Sequence, residues 1–287
     1  MKRYLSYFFI LFSGTLWGVI GLFNRNLSAA GLSPQSIVAV RNLGGMLVLG
    51  LIFLLFDRSV FRIKLRHLPY FFGTGIVSVL LFTLCYFTCQ QMCSLAIAAI
   101  LLYTAPTFVV ILSALLWKDK ITKQKLTALV ITFLGCTFVT GIWGGALTIT
   151  PLGFLLGIGS GFFYGLYSIF ARYALEHYKP LTVTFYSFVT AGVGSLFFFD
   201  AQELAMVTST GRGIFLSLCL MFFSTVLPYM FYTKGLNALG DGGKASILAS
   251  VEPVAASILG ILAFGEPMTI GVILGLACIL ISVYILR

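Results

Sequence analysis

Ten apolar runs follow one another along the chain, separated by short polar gaps. A helix that crosses the ~30 Å hydrocarbon layer of a bilayer needs about 20 mainly apolar residues. Every run approaches or exceeds that length, so the pattern predicts ten transmembrane helices and leaves little chain for a soluble domain. We place the runs at 4–23, 34–56, 68–90, 94–116, 124–142, 150–172, 180–199, 213–236, 242–264 and 268–286.

Prolines agree with this division, because proline is tolerated in the first turn of a helix but removes a hydrogen bond inside one. Five prolines stand at predicted helix starts, namely Pro34, Pro69, Pro151, Pro180 and Pro267. Pro106, Pro228 and Pro253 fall inside runs 4, 8 and 9. At these three we predict kinks that free backbone carbonyls for other partners.

The chain resembles itself at an offset of 147 residues. Residues 13–18 then meet residues 160–165, which share the small-residue and aromatic pattern. Eight of the 29 positions in 94–122 are identical to their counterparts, and Pro106 meets Pro253. The pattern indicates an internal duplication.

The duplication predicts two five-helix repeats, over residues 1–146 and 147–287. Because five is an odd number, the second copy enters the membrane from the opposite face. We therefore predict an all-α integral membrane protein of ten transmembrane helices in two inverted five-helix repeats. Inverted repeats can exchange roles and alternately open a central site to each side of the membrane.

The charges support a membrane protein and give it an orientation. Only 9% of residues are charged, against roughly 25% in an ordinary soluble domain. The net charge of +10 does not indicate a nucleic-acid partner, because the basic residues occupy short gaps and form no long basic stretch. With a cytoplasmic N-terminus, 15 of the 18 basic residues fall on the inner side, which predicts a cytoplasmic C-terminus as well.

Several motifs carry a resemblance to a known family. They are the segment 13–18, the pair Ala105-Pro106 with the segment 117–122, and the pair Glu252-Pro253 with the segment 264–269. On these residues, and on the helix count and the duplication, the chain resembles the ten-helix EamA-type transporters of the drug/metabolite transporter superfamily. The resemblance implies a secondary transporter for a small metabolite, since relatives move amino acids, amines, nucleosides and similar compounds.

Glu252 is the most conspicuous single residue, about 10 positions into run 9 and hence ~15 Å deep, near the bilayer midplane. Burying a carboxylate there costs roughly 3 kcal/mol or more, so a proton, a partner or a cationic ligand should neutralise it. Three roles stay open: binding a substrate ammonium, carrying a coupling proton, or exchanging the two. A hydrogen-bonded carboxyl beside the kink at Pro253 is the structural alternative.

Arg41 and a set of aromatic residues complete the candidate substrate site. Arg41 could pair with Glu252, hold an anionic substrate group, or extend along the lipid toward the headgroups. Aromatic faces attract ammonium groups, and Tyr hydroxyls suit zwitterions. The aromatic candidates are Trp17, Tyr86, Tyr103, Tyr164 and Tyr229; the repeat makes Trp17 and Tyr164 equivalent and places them on opposite sides of the membrane middle.

No pattern points to a metal or a cofactor. Cys85, Cys89 and Cys93 recur every four residues, but no histidine or acid joins them in run 3. The chain has no P-loop and no dinucleotide fingerprint, which disfavours ATP-driven transport within it. We expect no cofactor and no metal site.

The sequence therefore predicts a secondary transporter, and not an enzyme, in the cytoplasmic membrane. It would move a small polar cation or zwitterion by alternating access, with protons as a candidate coupling ion. The alternatives are a flippase for a lipid-linked substrate and an integral-membrane enzyme, although such an enzyme usually needs several acids or histidines at the membrane edge. Monomer and homodimer both stay open.

Overall fold

The computed structural model describes residues 2–93, 95–142, 150–198, 200–265 and 267–286. These residues are predominantly helical, and ten long helices follow the ten predicted runs. They are α1 Tyr4–Ala29, α2 Pro34–Phe56, α3 Leu65–Gln90, α4 Ile97–Trp117, α5 Lys123–Val139, α6 Pro151–Leu175, α7 Pro180–Phe198, α8 Gly211–Leu239, α9 Gly242–Ala263 and α10 Ile270–Ile285. A short helix, Ala201–Thr208, lies between α7 and α8.

Eight of these helices have the length and apolar composition needed to cross a membrane. The other two, α5 and α10, have 17 and 16 residues and lie side by side. Thr132 Oγ1 donates a hydrogen bond to Ser282 Oγ at 2.7 Å. Gly135 allows close approach, since a Cβ there would lie 2.8 Å from a side-chain carbon of Ile279. The chain is an all-helical, multi-pass membrane protein.

The internal duplication recurs as matched irregularities in the helices. A π-helical stretch occupies Gly73–Leu80 in α3, and another occupies Phe222–Val226 in α8. When the first stretch is shifted by 147 residues, the offset of the sequence repeat, it overlaps the second. A π-turn interrupts the regular backbone hydrogen bonding of a helix. The third helix of each repeat is therefore irregular at the equivalent position.

The fourth helix of each repeat is also interrupted. In α4 the break lies between Leu102 and Ala105, and in α9 it lies between Ala249 and Glu252. Pro106 and Pro253 stand in the first turn of the helical segments that follow, where a missing N–H costs nothing.

Two further prolines, Pro228 and Pro267, also bear on the predictions. Pro228 stands in the first turn of the regular helical segment that follows the π-helical stretch of α8. Pro267 differs from the prediction, because α10 begins at Ile270 after the capping hydroxyl of Thr269, which accepts from Val272 N–H at 3.2 Å. Pro267 therefore precedes the helix without forming its first turn.

Contacts among the loops define two faces of the helix bundle. Tyr7 donates a hydrogen bond to the Leu286 carbonyl at 2.7 Å, which brings the two ends of the chain together. We call this side the terminal face; it also holds the loops 57–64, 118–122 and 176–179. The other side, which we call the opposite face, holds loops 30–33 and 200–210, joined where Ser33 contacts Glu203.

Candidate functional site

A cavity with about 550 Å³ of empty volume lies in the middle of the bundle. Helices of both repeats line it, including α1, α2 and α3 from the first and α6, α8 and α9 from the second. Six of the seven residues predicted to bind substrate line this cavity, namely Trp17, Arg41, Tyr86, Tyr164, Tyr229 and Glu252. Residues far apart in sequence thus converge on one site.

Tyr103 is the exception. It lies at the break in α4 and packs against Cys136 of α5 and Val254 of α9, outside the cavity lining. Tyr103 remains close enough to Glu252 to interact with it electrostatically, so it belongs to the surroundings of the site.

Glu252 owes its position to the break in α9. It is the first residue of the helical segment Glu252–Phe264, whose free N–H groups favour a negative charge. The side chain is half-buried and faces the cavity. Helix α1 reaches its backbone because position 18 is glycine: a Cβ on Gly18 would lie 2.6 Å from the Glu252 carbonyl oxygen.

Arg41 is only 4% exposed and lines the same cavity. Its guanidinium therefore lies inside the protein, and the snorkelling interpretation does not describe it. Among the described residues no ion pair joins Arg41 to Glu252, although the two interact electrostatically across the cavity. Arg41 also interacts with Tyr229 and Tyr164, yet its buried Nε has no hydrogen-bond partner.

Asn24 is a cavity residue that the sequence reasoning missed. Its Oδ1 is buried and has no hydrogen-bond partner. The first apolar run was ended at position 23, but α1 continues to Ala29, helped by a hydrogen bond from Asn26 Nδ2 to the Leu22 carbonyl at 2.8 Å. The sequence signal that could have identified Asn24 is its polar side chain one helical turn after Ile20. The other unpredicted lining residues are Ile20, Phe82, Thr83, Phe87 and Leu102.

A layer of aromatic rings closes the cavity toward the terminal face. We call Trp17, Tyr164, Tyr167, Tyr229 and Tyr232 the aromatic layer. Trp17 meets Tyr229 at a centroid distance of 5.1 Å and Tyr164 at 6.1 Å, both edge to face. Trp17 and Tyr164, predicted on opposite sides of the membrane middle, thus meet in a single layer.

A second, smaller cavity lies beyond the aromatic layer, with about 270 Å³ of empty volume. Ser168 and Ser246 line it on the side of the terminal face. Two hydrogen bonds hold tyrosines of the aromatic layer in place. The Tyr167 hydroxyl pairs with that of Thr233 at 2.8 Å, and the Tyr232 hydroxyl with that of Ser168 at 2.7 Å. The site is therefore two cavities separated by tightly bonded rings.

Two ion pairs connect the repeats at the terminal face. Asp119, after α4, accepts from both terminal nitrogens of Arg172 on α6, at 2.6 and 3.3 Å. Lys125 of α5 meets Asp241, before α9, at 2.6 Å. The Arg172 guanidinium also lies 4.3 Å from the centre of the Trp117 ring. These contacts join the two repeats at the terminal face.

The model of the EamA-like transporter family matches the chain twice, over residues 4–141 and 151–287. Together the two matches cover nearly the whole sequence. The chain belongs to the EamA-like transporter family, in the drug/metabolite transporter superfamily. It is a membrane transporter and not an enzyme, which sets aside the integral-membrane enzyme weighed above.

Relatives extend over almost the full length of the chain. An uncharacterised transporter of Archaeoglobus fulgidus is 25% identical over 279 residues, covering 94% of each chain. The uncharacterised inner membrane transporter YicL of Salmonella typhimurium is 27% identical over 285 residues, covering 96% of this chain and 93% of its own. A solved crystal structure shares the fold, with a TM-score of 0.82 at 18% identity over 99% of this chain.

Proposed function

We propose that this protein moves a small cationic or zwitterionic metabolite across the cytoplasmic membrane by alternating access, with both termini in the cytoplasm. The excess of basic residues at the terminal face supports that orientation, because cytoplasmic loops collect Lys and Arg. In this orientation the larger cavity lies toward the outside of the cell.

The observation that carries the proposal is the pair of opposite charges in one cavity. A zwitterion would place its ammonium group at Glu252 and its carboxylate at Arg41. Arg41 Nε and Asn24 Oδ1 are buried donor and acceptor atoms without partners. Such atoms are rare in folded proteins, and a polar ligand between them would satisfy both.

The aromatic residues suit the organic part of the same ligand. Trp17, Tyr86 and Tyr164 line the cavity beside Glu252. Their ring faces attract an ammonium group and also pack against apolar substituents. The larger cavity has the size range of small-molecule sites, so an amino acid or an amine fits this proposal better than a bulky substrate.

The two cavities support alternating access. Substrate would enter the larger cavity from outside while the aromatic layer and the ion pairs at the terminal face keep the inner path closed. Movement of one repeat against the other would then open the smaller cavity inward, around the same central residues. A proton could compete with the substrate for the Glu252 carboxylate, and this would couple the two movements by exchange.

The test is transport by the full chain in liposomes. Candidate amino acids and amines are first selected by thermal shift of the purified protein at two pH values. We expect Glu252→Gln to abolish pH-dependent exchange of a selected substrate, whereas Asp57→Asn, which removes an acid outside the membrane spans, should leave it intact. Unchanged transport and pH response in Glu252→Gln would sink the proposal, and a selection of only anions or lipid-linked compounds would overturn the substrate class.

A further inference from the structure

A basic pocket lies at the terminal face, apart from the transport cavities. It has about 770 Å³ of empty volume and is formed by residues 62–67, which lead into α3, and by the loop between α6 and α7. Arg62, Lys64 and Arg66 line it, and Glu176 is the single acid in its lining. With neutral histidines the lining carries a net charge of +2, three cations less one carboxylate.

The three cations are not neutralised within the protein. In the described part of the chain, none of Arg62, Lys64 and Arg66 takes part in an ion pair with an acid. All three side chains are exposed. Their charge is therefore available to an anion. Three cations around one pocket attract a phosphate more strongly than the same charges scattered over the surface.

Hydrogen bonds at Tyr178 fix the shape of this pocket. The Lys64 backbone N–H donates to the Tyr178 hydroxyl oxygen at 2.9 Å, and His67 Nδ1 lies 2.9 Å from the same oxygen. The rings of His67 and His177 stack at a centroid distance of 4.5 Å. The loop of the first repeat is thus attached to the loop of the second before any ligand arrives.

The same hydrogen bonds leave the hydroxyl proton of Tyr178 available to a ligand. Arg66 Nε–H donates to His67 Nε2 at 3.2 Å, so Nε2 is the acceptor nitrogen and the ring proton resides on Nδ1. His67 Nδ1–H then donates to Tyr178, whose oxygen also accepts from Lys64 N–H. Among the described residues no acceptor then takes the hydroxyl proton of Tyr178, so the hydroxyl can donate to a ligand oxygen in the pocket.

Apolar side chains next to the pocket indicate that this ligand belongs to the membrane. Leu65 and Leu68 are 77% and 41% exposed, although they begin the apolar helix α3. In a bilayer such side chains contact acyl chains, which places the neighbouring cations at the depth of the phospholipid headgroups.

We propose that this pocket binds the headgroup phosphate of an anionic phospholipid in the leaflet at the terminal face. The phosphate would contact the exposed cations and accept a hydrogen bond from the Tyr178 hydroxyl. The bound lipid would bridge the two repeats, because Lys64 and Tyr178 belong to different halves of the chain. The site does not depend on which substrate the central cavity carries.

The test is native mass spectrometry of the full chain in detergent, with phosphatidylglycerol or phosphatidylcholine added. We expect the wild type to retain phosphatidylglycerol preferentially. The variant R62Q/K64Q/R66Q should lose this preference, with retention falling about fivefold for each charge removed. The matched control is K118Q/K120Q/K123Q, which removes three cations between the end of α4 and the start of α5, at the same face, and should retain the lipid.

A second variant separates the built site from simple charge attraction. Tyr178→Phe keeps every cation but removes the hydroxyl donor, and we expect weaker retention of phosphatidylglycerol at unchanged net charge. Equal losses in the two triple variants, no preference between the lipids in the wild type, or full retention in Tyr178→Phe would overturn the proposal. Displacement of the lipid by millimolar inorganic phosphate would identify a soluble-anion site instead.

Discussion

Glu203 is a carboxylate that holds the start of α2 at the opposite face, outside the membrane spans. Its Oε2 accepts hydrogen bonds from the Ser33 backbone N–H at 2.8 Å and from the Ser33 hydroxyl at 2.7 Å. Hydrogen bonds from Ser36 and Ser33 lower the pKa of the Glu203 carboxyl below its ordinary value. They do so because they stabilise the charged form.

This lowered pKa makes a pH-dependent contribution to stability. Since the folded-state pKa lies below the unfolded one, the contribution is fully present above the unfolded pKa and is lost as pH falls through the folded pKa. We expect Glu203→Gln to lower Tm near neutral pH, and we expect the Tm difference between the two proteins to shrink as pH falls below the ordinary Glu value of about 4.3 and through the lower folded-state pKa of Glu203. Thermal unfolding of both proteins across this range measures it; a Tm difference independent of pH would contradict the assignment.

At the residue scale, the sequence predicted the charged members of the cavity better than the neutral ones. Glu252 and Arg41 stand out because a charge inside an apolar run is costly and conspicuous. Asn24 was missed because the apolar run ends before the helix does. Tyr103 lies outside the lining, where it packs with Cys136 and Val254 at a break in α4, and sequence spacing does not reveal such packing.

At the scale of the elements, the contact between α1 and α9 depends on glycine. A Cβ on Gly18 would lie 2.6 Å from both the Glu252 carbonyl oxygen and the Ala255 Cβ. Gly21, one turn further along α1, has open space where its Cβ would stand. The two glycines therefore form a matched pair for testing whether close packing positions the site.

We expect Gly18→Ala to destabilise the protein by about 1–3 kcal/mol, the usual cost of overpacking, and to weaken substrate binding by displacing Glu252. Gly21→Ala should leave binding unchanged and should not lower Tm, because alanine favours a helix over glycine. Thermal unfolding in detergent and substrate titration measure the two effects. Equal Tm values for the two variants would show that α1 does not approach α9 as closely as described.

The helices themselves were largely predictable, since ten apolar runs of membrane length correspond to ten helices. Their irregularities were only partly so. The prolines indicated where α4, α8 and α9 depart from regular helix, but no proline marks the π-helical stretch Gly73–Leu80 in α3. A π-turn depends on packing against neighbouring helices. At Gly75, for example, a Cβ would lie 2.3 Å from the Ser187 carbonyl oxygen of α7.

For the whole molecule, the ion pairs at the terminal face bear on the proposed alternating access. Asp119 with Arg172, and Lys125 with Asp241, each join the first repeat to the second. Their residue types are visible in the sequence, but their pairing is not, because it requires the two halves to be placed against each other. An opening of the terminal face has to separate both pairs.

Loss of one pair should therefore shift the population toward a state that is open at the terminal face. An ion pair of this partial exposure contributes up to about 1 kcal/mol, which corresponds to about a fivefold change in the equilibrium. We expect Asp119→Asn to speed amide hydrogen exchange at the start of α9, residues 242–249, and to weaken binding of a substrate that prefers the state closed at the terminal face. The control is Asp57→Asn at the same face, because Asp57 accepts hydrogen bonds from Ser59 within its own repeat. Equal exchange in both variants would mean that the Asp119–Arg172 pair does not hold the terminal face closed.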